Sequence, residues 1–581
     1  MTGETPPATL VSMFAGTVAR VPDRPAVNDG DHRLTYAELN VRAEAVAEDL
    51  RALGVGREDR VACHLDRGAE LFVAILGILK AGAAYVPVDT RYPDARRDLL
   101  IADSRPAALV TDRTVPVDVP VIDVDIARTA PVRQPDVRPQ DAAAVLFTSG
   151  SSGRPKAVVL QHDNLVSFAT NPALPALAET DRVGQVSSIS FDAFGFETWC
   201  AFAGGAEIVV LPAMADLLGS DIRRELKRRQ ITAMLVPTMA VNHVLREDLD
   251  AFSALRVLCT GGDVISPAAC RELLGGEFTG EFVNLYGPTE GTTASTAHCV
   301  TKADLDADAV PIGLPLAGER VYLLDEQLKE VAPGEVGQLH IGGAGVARGY
   351  LDQPELTAEK FLTDPFAGGR MYATGDLARR RPDGVLEFLG RADNQVKVRG
   401  YRVEPGEVER TLGRHPEVRD VAVLVAGHEQ DKHLVAVVVC YDRTSPRELR
   451  DYAAERMPEF MVPSSFLLVP GIPANEHGKR DIARLRELAD EQLRRQGSRV
   501  APDGEIEHYL AELWEDLLAV ERIGATDDFF SLGGNSLLAF RVQRRITREL
   551  GVPLRPQDVL ANSELRGLAT LIQDRKGTGS P

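Results

Sequence analysis

Ten consecutive residues, Phe147-Thr148-Ser149-Gly150-Ser151-Ser152-Gly153-Arg154-Pro155-Lys156, bring together groups that can hold an anion. The two glycines let the backbone turn tightly and present N–H groups, while four hydroxyls and the Lys156 ammonium add donors and positive charge. A phosphate suits such a loop. The nucleotide P-loop pattern does not fit, because no Gly-Lys-Ser/Thr closes the stretch. Taken alone, the same residues also read as a Gly/Ser-rich turn.

A loop of this kind needs rigid elements on either side. Residues 142–147 are short and apolar enough for a buried strand leading into it. From about Val11 to Val88 helical segments alternate with short apolar runs: residues 34–39 open an amphipathic helix and residues 83–88 read as a strand. The same beat continues through 184–189, 206–211, 231–236 and 255–260, which predicts a parallel sheet covered by helices. One helix shows its expected ends, with Ser266 as cap, Pro267 in the first turn and Gly275 as a left-handed stop.

The chain has 581 residues, 44% of them apolar, which is ample for several cores. A formal net charge of -20 disfavours nucleic acid or an anionic membrane as partner. The six cysteines show no metal-ligand spacing and read as reduced thiols of a cytoplasmic protein. The N-terminus lacks the features of a signal peptide, and the longest apolar run, residues 71–79, is too short to span a bilayer.

Three more motifs follow the loop in order: Tyr286-Gly287-Pro288-Thr289-Glu290, Tyr372-Ala373-Thr374-Gly375-Asp376, and the run from Gly390-Arg391 to Arg399-Gly400. With them the chain resembles the amino-acid-activating adenylation domains of nonribosomal peptide synthetases, members of the adenylate-forming superfamily. The stretch around Gly533-Gly534-Asn535-Ser536-Leu537 resembles their peptidyl carrier domain. The resemblance implies a large α/β N-terminal subdomain (1–392), a small α/β C-terminal subdomain (393–492) hinged at Asp393, a linker (493–504) and an all-α four-helix carrier (505–576). The linker and the carrier also show in the residues: breakers crowd 496–504, and Leu510, Leu513, Leu517 and Leu518, then Leu538, Val542, Ile546 and Leu550, form two helix faces, the second ending at Gly551.

The implied chemistry is attack of an amino-acid carboxylate on the α-phosphate of ATP, with release of pyrophosphate and formation of an aminoacyl-adenylate. By match to the family motifs, Thr148, Ser149, Gly150, Ser151, Ser152, Gly153 and Lys156 hold phosphates, Glu290 binds Mg²⁺, Thr289 lies near the α-phosphate and Tyr286 stacks on adenine. Asp376 and Arg391 take the ribose, an acceptor-only carboxylate suiting a diol. Lys479 is the catalytic lysine, although His477-Gly478-Lys479-Arg480-Asp481 departs from the common Asn-Gly-Lys form. Asp192 pairs with the substrate ammonium, and Ala193, Phe196, Leu235, Cys259, Gly261, Leu285, Thr293 and Ala294 line the side-chain pocket. No charge lies among those eight, which favours a mid-sized neutral side chain such as that of leucine, valine or isoleucine.

Ser536 matches the attachment point of 4′-phosphopantetheine, whose thiol attacks the adenylate to form a thioester; on local chemistry alone it is a helix cap. A phosphopantetheinyl transferase must act first. No His-His-x-x-x-Asp-Gly condensation motif or Gly-x-Ser-x-Gly elbow occurs, so a condensing or tailoring enzyme is expected in trans, and a small MbtH-like protein is a further candidate partner. Two rival readings stand: an acyl- or aryl-CoA ligase, which Asp192 and the carrier oppose, and a non-catalytic scaffold.

Overall fold

The computed structural model describes residues 9–150, 154–218, 221–306, 309–392, 396–398, 401–427, 432–441, 444–473, 481, 484–487, 500–518, 520, 522–530, 532, 534 and 536–577. They form two compact units. One takes the described residues of 9–150, 154–213 and 222–402, the other those of 214–221 and 403–577.

The first unit is built on apolar runs of four to seven residues that read as strands buried on both faces. Among the described residues its largest sheet has nine strands, with Glu281–Tyr286, Val257–Gly261, Ala233–Pro237, Arg182–Gln185, Glu207–Val210 and Pro25–Asn28 parallel in that order. A seven-stranded sheet carries Arg60–His64, Ala84–Pro87 and Ala142–Thr148, and the last of these turns back antiparallel into Lys156–Gln161. A five-stranded antiparallel sheet contains Val336–Gly343, Arg370–Arg380 and Leu386–Arg391.

The helix Tyr36–Ala52 begins where the sequence predicts. Thr35 Oγ1 accepts from the Glu38 N–H at 3.2 Å, and the Glu38 carboxylate accepts from the Thr35 N–H at 2.8 Å, so each end of the box satisfies a donor the helix leaves open. Against it lies Ala69–Ala81, close enough at Gly77 that a Cβ there would stand 2.6 Å from the Val46 Cβ. The helix Pro267–Gly275 differs from expectation: Ser266 makes no side-chain cap bond, and Gly275 is its last helical residue, without the positive φ of a left-handed stop. The following Gly276 leaves in extended conformation, so the chain ends this helix by straightening.

In the second unit His433–Cys440 is the middle strand of a three-stranded sheet, flanked by Val418–Ala426 and Ser465–Leu468. Among the described residues from 500 onward lie four helices, Gly504–Leu518, Ser536–Leu550, Pro556–Ala561 and Leu565–Gly577, and Leu510, Leu513, Val542 and Ile546 join Trp514 and Phe529 in one core. Gly551 has φ +68° and closes the second of them as a left-handed stop. Among the described residues no helix is long and apolar enough to cross a membrane.

Candidate active site

The antiparallel pairing of Thr148 with Lys156 sets both ends of the phosphate-type loop at the same end of two neighbouring strands of the seven-stranded sheet. Gly150 is required by contact: a Cβ there would stand 1.9 Å from the Arg154 carbonyl oxygen. The Lys156 side chain is buried, with Nζ 5.8 Å from the centre of the Tyr350 ring. Ser151, Ser152 and Gly153 lie outside the described residues, as do Asp393 and Lys479. Ser536 opens its helix, and its side chain also falls outside them.

Glu290 is fully buried in a short turn just past the strand Glu281–Tyr286. Its Oε1 accepts the Tyr350 hydroxyl at 2.7 Å, and its Oε2 accepts Arg402 Nη1 at 3.0 Å. Burial alone would raise this carboxyl, but Arg402, Lys156 and the Tyr350 hydroxyl outweigh it and hold the group down at about 2. An ionised carboxylate beside the Thr289 hydroxyl is the hard oxygen donor a Mg²⁺ ion takes, so these residues fit that ion.

Next to it, Thr289 Oγ1 donates to Asp192 Oδ2 at 2.6 Å, while Thr293 Oγ1 donates to the Asp192 carbonyl at 3.0 Å. Burial lifts the Asp192 carboxyl above its ordinary value, and the Thr289 bond pulls it partly back. Thr292 and Thr293 have φ of +59° and +68°, a region β-branched residues rarely enter and one that costs on the order of 1–3 kcal/mol per residue.

Four of the residues expected to line the side-chain pocket come from adjacent strands. Leu235 is opposite Cys259 and Leu285 opposite Gly261, and residues two apart along a strand share a face, so all four side-chain positions look the same way. Phe196, Leu235, Cys259, Leu285 and Ala294 are buried in the main apolar core, against which Ala193 packs. Gly261 has no room for a Cβ, which would meet the Leu285 carbonyl oxygen at 2.6 Å.

Phe196 begins a π-helical turn, Phe196–Cys200, an irregularity often found at functional sites. Its second residue, Glu197, is fully buried and receives Gln185 Nε2 at 3.0 Å, the Val186 N–H at 3.2 Å, and the N–H and hydroxyl of Ser187, the latter at 2.9 Å. These bonds fasten the start of the loop that carries Asp192. Burial pushes the Glu197 carboxyl up to about 7 against those donors.

At the other end of the site the Tyr286 hydroxyl and Arg391 Nη1 both donate to the buried Asp376 carboxylate, and Asp376 and Arg391 are direct cross-strand partners. Arg391 Nη2 also reaches the Thr374 carbonyl at 3.0 Å. Lys397 Nζ lies 5.8 Å from the centre of the Tyr286 ring, Tyr401 packs on Phe191 with ring centres 4.8 Å apart, and Ser149 Oγ donates to the Arg402 carbonyl at 2.7 Å. Glu197, Lys397, Tyr401 and Arg402 are absent from the sequence reading of the site. Lys397 at least stands inside a motif that marks the family; the other three carry no local signal.

A family model described as AMP-binding enzyme matches residues 14–351, one described as AMP-binding enzyme C-terminal domain matches 407–479, and one described as phosphopantetheine attachment site matches 508–572. Gramicidin S synthase 2 of Brevibacillus brevis is 37% identical over 582 residues, covering 97% of this chain and 13% of that protein. Gramicidin S synthase 1 of the same organism is 34% identical over 586 residues, covering 98% of this chain and 52% of its own. The chain therefore spans between about an eighth and a half of these relatives. Among solved structures, holo-PA1221, an NRPS protein containing adenylation and PCP domains bound to a vinylsulfonamide inhibitor, aligns with a TM-score of 0.84 at 31% identity, covering 98% of this chain and 97% of that one.

Proposed function

Since the chain belongs to the AMP-binding enzyme family and carries a phosphopantetheine attachment domain, we propose that it activates a neutral aliphatic α-amino acid with ATP and loads it as a thioester on its own carrier. The observation that carries the reading is the Asp192 carboxylate, hydrogen-bonded to Thr289 beside Glu290 and next in the chain to Ala193, which packs against an uncharged cluster that includes Phe196, Leu235, Cys259, Leu285 and Ala294. A substrate ammonium would add a counter-charge to that buried carboxylate beside the one Lys397 supplies.

In the first step a substrate carboxylate oxygen bonds to the α-phosphorus of ATP while the bond from that phosphorus to the β-bridging oxygen breaks, and pyrophosphate leaves. Lys156 and the N–H groups of its loop stabilise charge gathering on the phosphate oxygens, with Lys479 as the second cation at the reacting carboxylate. Glu290 would hold Mg²⁺, which would supply charge neutralisation at the phosphates. Asp376 and Arg391 hold the ribose. In the second step Ser536 would carry the phosphopantetheine, whose thiol would supply the nucleophile for thioester formation, giving up its proton as AMP is released. The small subdomain turns about Asp393 between the steps.

The proposed partners are a phosphopantetheinyl transferase, a condensing or tailoring enzyme and an MbtH-like protein, and the proposed compartment is the cytoplasm. Leu235, Leu285 and Phe196 support leucine, valine or isoleucine, since one methylene in such a pocket is worth only about 1–3 kcal/mol. The test is mass spectrometry after incubation with a phosphopantetheinyl transferase, coenzyme A, ATP, magnesium and single amino acids. A pantetheine mass on the Ser536 peptide plus an aliphatic aminoacyl mass is expected; equal loading by aspartate or lysine would sink the substrate class.

A further inference from the structure

Asp192 ends a loop that is closed on itself. The strand Arg182–Gln185 stops, residues 186–192 cross to the short helical stretch Ala193–Gly195, and the π-helical turn Phe196–Cys200 follows. Glu197, inside that turn, reaches back to where the loop began. Its Oε1 accepts the Val186 N–H at 3.2 Å, the Ser187 N–H at 3.1 Å and the Ser187 hydroxyl at 2.9 Å, and its Oε2 accepts Gln185 Nε2 at 3.0 Å. All these donors belong to residues 185–187, and Gln185 and Glu197 are both fully buried. Further bonds hold the middle of the loop: the Ser188 hydroxyl donates to the buried Asp89 carboxylate, the Ser190 hydroxyl to the Pro87 carbonyl at 3.2 Å, and the Phe191 N–H to the Ser188 carbonyl at 3.1 Å.

We propose that Glu197 is a positioning residue for amino-acid recognition: by tying residues 185–187 to the turn that follows Asp192, it sets where the Asp192 carboxylate meets the substrate ammonium. A carboxylate is costly to bury, and packing alone would be served as well by an apolar side chain of that size. What the carboxylate adds is a fixed geometry, since acceptors on two oxygens hold three successive residues at once. Phe196 precedes Glu197 in the same turn. One group therefore registers the expected ammonium partner against an expected wall of the side-chain pocket, and an error of about 1 Å in such a placement can cost on the order of 100-fold. The ribose end does not depend on these bonds, because Asp376 and Arg391 are partners across strands of the five-stranded sheet.

Glu197 has this role only if Asp192 takes the substrate ammonium, and one assay separates the two ideas. ATP–pyrophosphate exchange is measured on the full chain with leucine, valine and isoleucine as probes. Glu197→Ala is expected to raise the KM for the amino acid about tenfold or more and to leave the KM for ATP within about twofold, while Glu197→Gln, which keeps an acceptor for the loop N–H groups, stays within about threefold of the parent in both. Ser187→Ala removes one donor and serves where Glu197→Ala fails to fold; it is expected to raise the KM for the amino acid about threefold. Added to Asp192→Asn, Glu197→Ala should raise that KM by no more than about twofold, because a charge already removed cannot be misplaced. Equal increases in the two KM values, an unchanged KM for the amino acid in Glu197→Ala and Ser187→Ala, or effects that multiply in full in the double variant overturn the proposal. An amino-acid KM raised by Asp192→Asn upholds the underlying role of Asp192 whatever Glu197 does, and one that Asp192→Asn leaves unchanged removes that role and the proposal together.

Discussion

Thr289 and Asp192 are joined by a 2.6 Å hydrogen bond, hydroxyl to carboxylate, across 97 residues of sequence. The bond links the group proposed for the substrate ammonium to the residue proposed beside the α-phosphate. On that proposal, an amino acid held at one end would be registered with the nucleotide at the other.

Asp192→Asn keeps the shape and removes the charge. Hydrogen bonds to charged groups contribute about 1.5–3 kcal/mol, so the KM for the amino acid is expected to rise roughly 10- to 100-fold while the KM for ATP changes little. ATP–pyrophosphate exchange over both substrates checks this; equal increases in the two constants would contradict the assignment.

For the ribose, Asp376→Asn replaces one acceptor oxygen by a donor while Tyr286 and Arg391 remain beside it. Exchange with ATP is expected to fall at least about tenfold, and the preference for ATP over 2′-deoxy-ATP to shrink. A variant that still discriminates against the deoxynucleotide as the parent does would place the ribose elsewhere.

Gly150→Ala forces a methyl carbon against the Arg154 carbonyl, a contact of 1.9 Å that backbone must relieve. The loop between Thr148 and Lys156 is then reshaped, and nucleotide binding should weaken by about tenfold or more while melting temperature falls by only a few degrees. Nucleotide affinity within twofold of the parent would show that the loop does not touch phosphate.

Glu197 gives a pH signature. Burial raises its carboxyl from the ordinary 4.5 to about 7, so the folded chain binds a proton more tightly there than the unfolded chain. Stability from this group is therefore present at low pH and is lost as pH rises from about 4.5 through about 7, by up to roughly 3 kcal/mol. Glu197→Gln abolishes that slope. The melting temperature of the variant relative to the parent should rise between pH 5 and pH 7.5, and a difference that does not move with pH would refute the account.

The parts of the fold that the sequence reveals are those with local causes. The run 142–147 becomes the strand Ala142–Thr148, the run 206–211 contains the strand Glu207–Val210, and residues 34–39 open the helix Tyr36–Ala52. The five-stranded sheet escapes such reading, since Arg370–Arg380 alternates buried with half-buried positions and carries four arginines and acids among its eleven residues, as an exposed loop would. Its pairing of Asp376 with Arg391 depends on register between strands and on no spacing along the chain. The π-turn at Phe196 and the positive φ of two threonines are imposed by packing against the chemistry of the residues themselves. Arg402 belongs to the same class, because a lone arginine acquires meaning only from the carboxylate it meets.

Leu235, Cys259, Leu285 and Phe196, proposed as the pocket walls, are side chains that fill the central core. Any change that admits a different substrate therefore also alters how well the protein folds. Enlarging the pocket at Phe196 or Leu285 opens a void in the interior, at a cost of about 2–5 kcal/mol, unless the new ligand fills it. Diversification of such a chain toward new building blocks is thus expected to proceed through variants whose folding depends on their own substrate, with surplus stability elsewhere in the fold setting how many such steps a lineage survives.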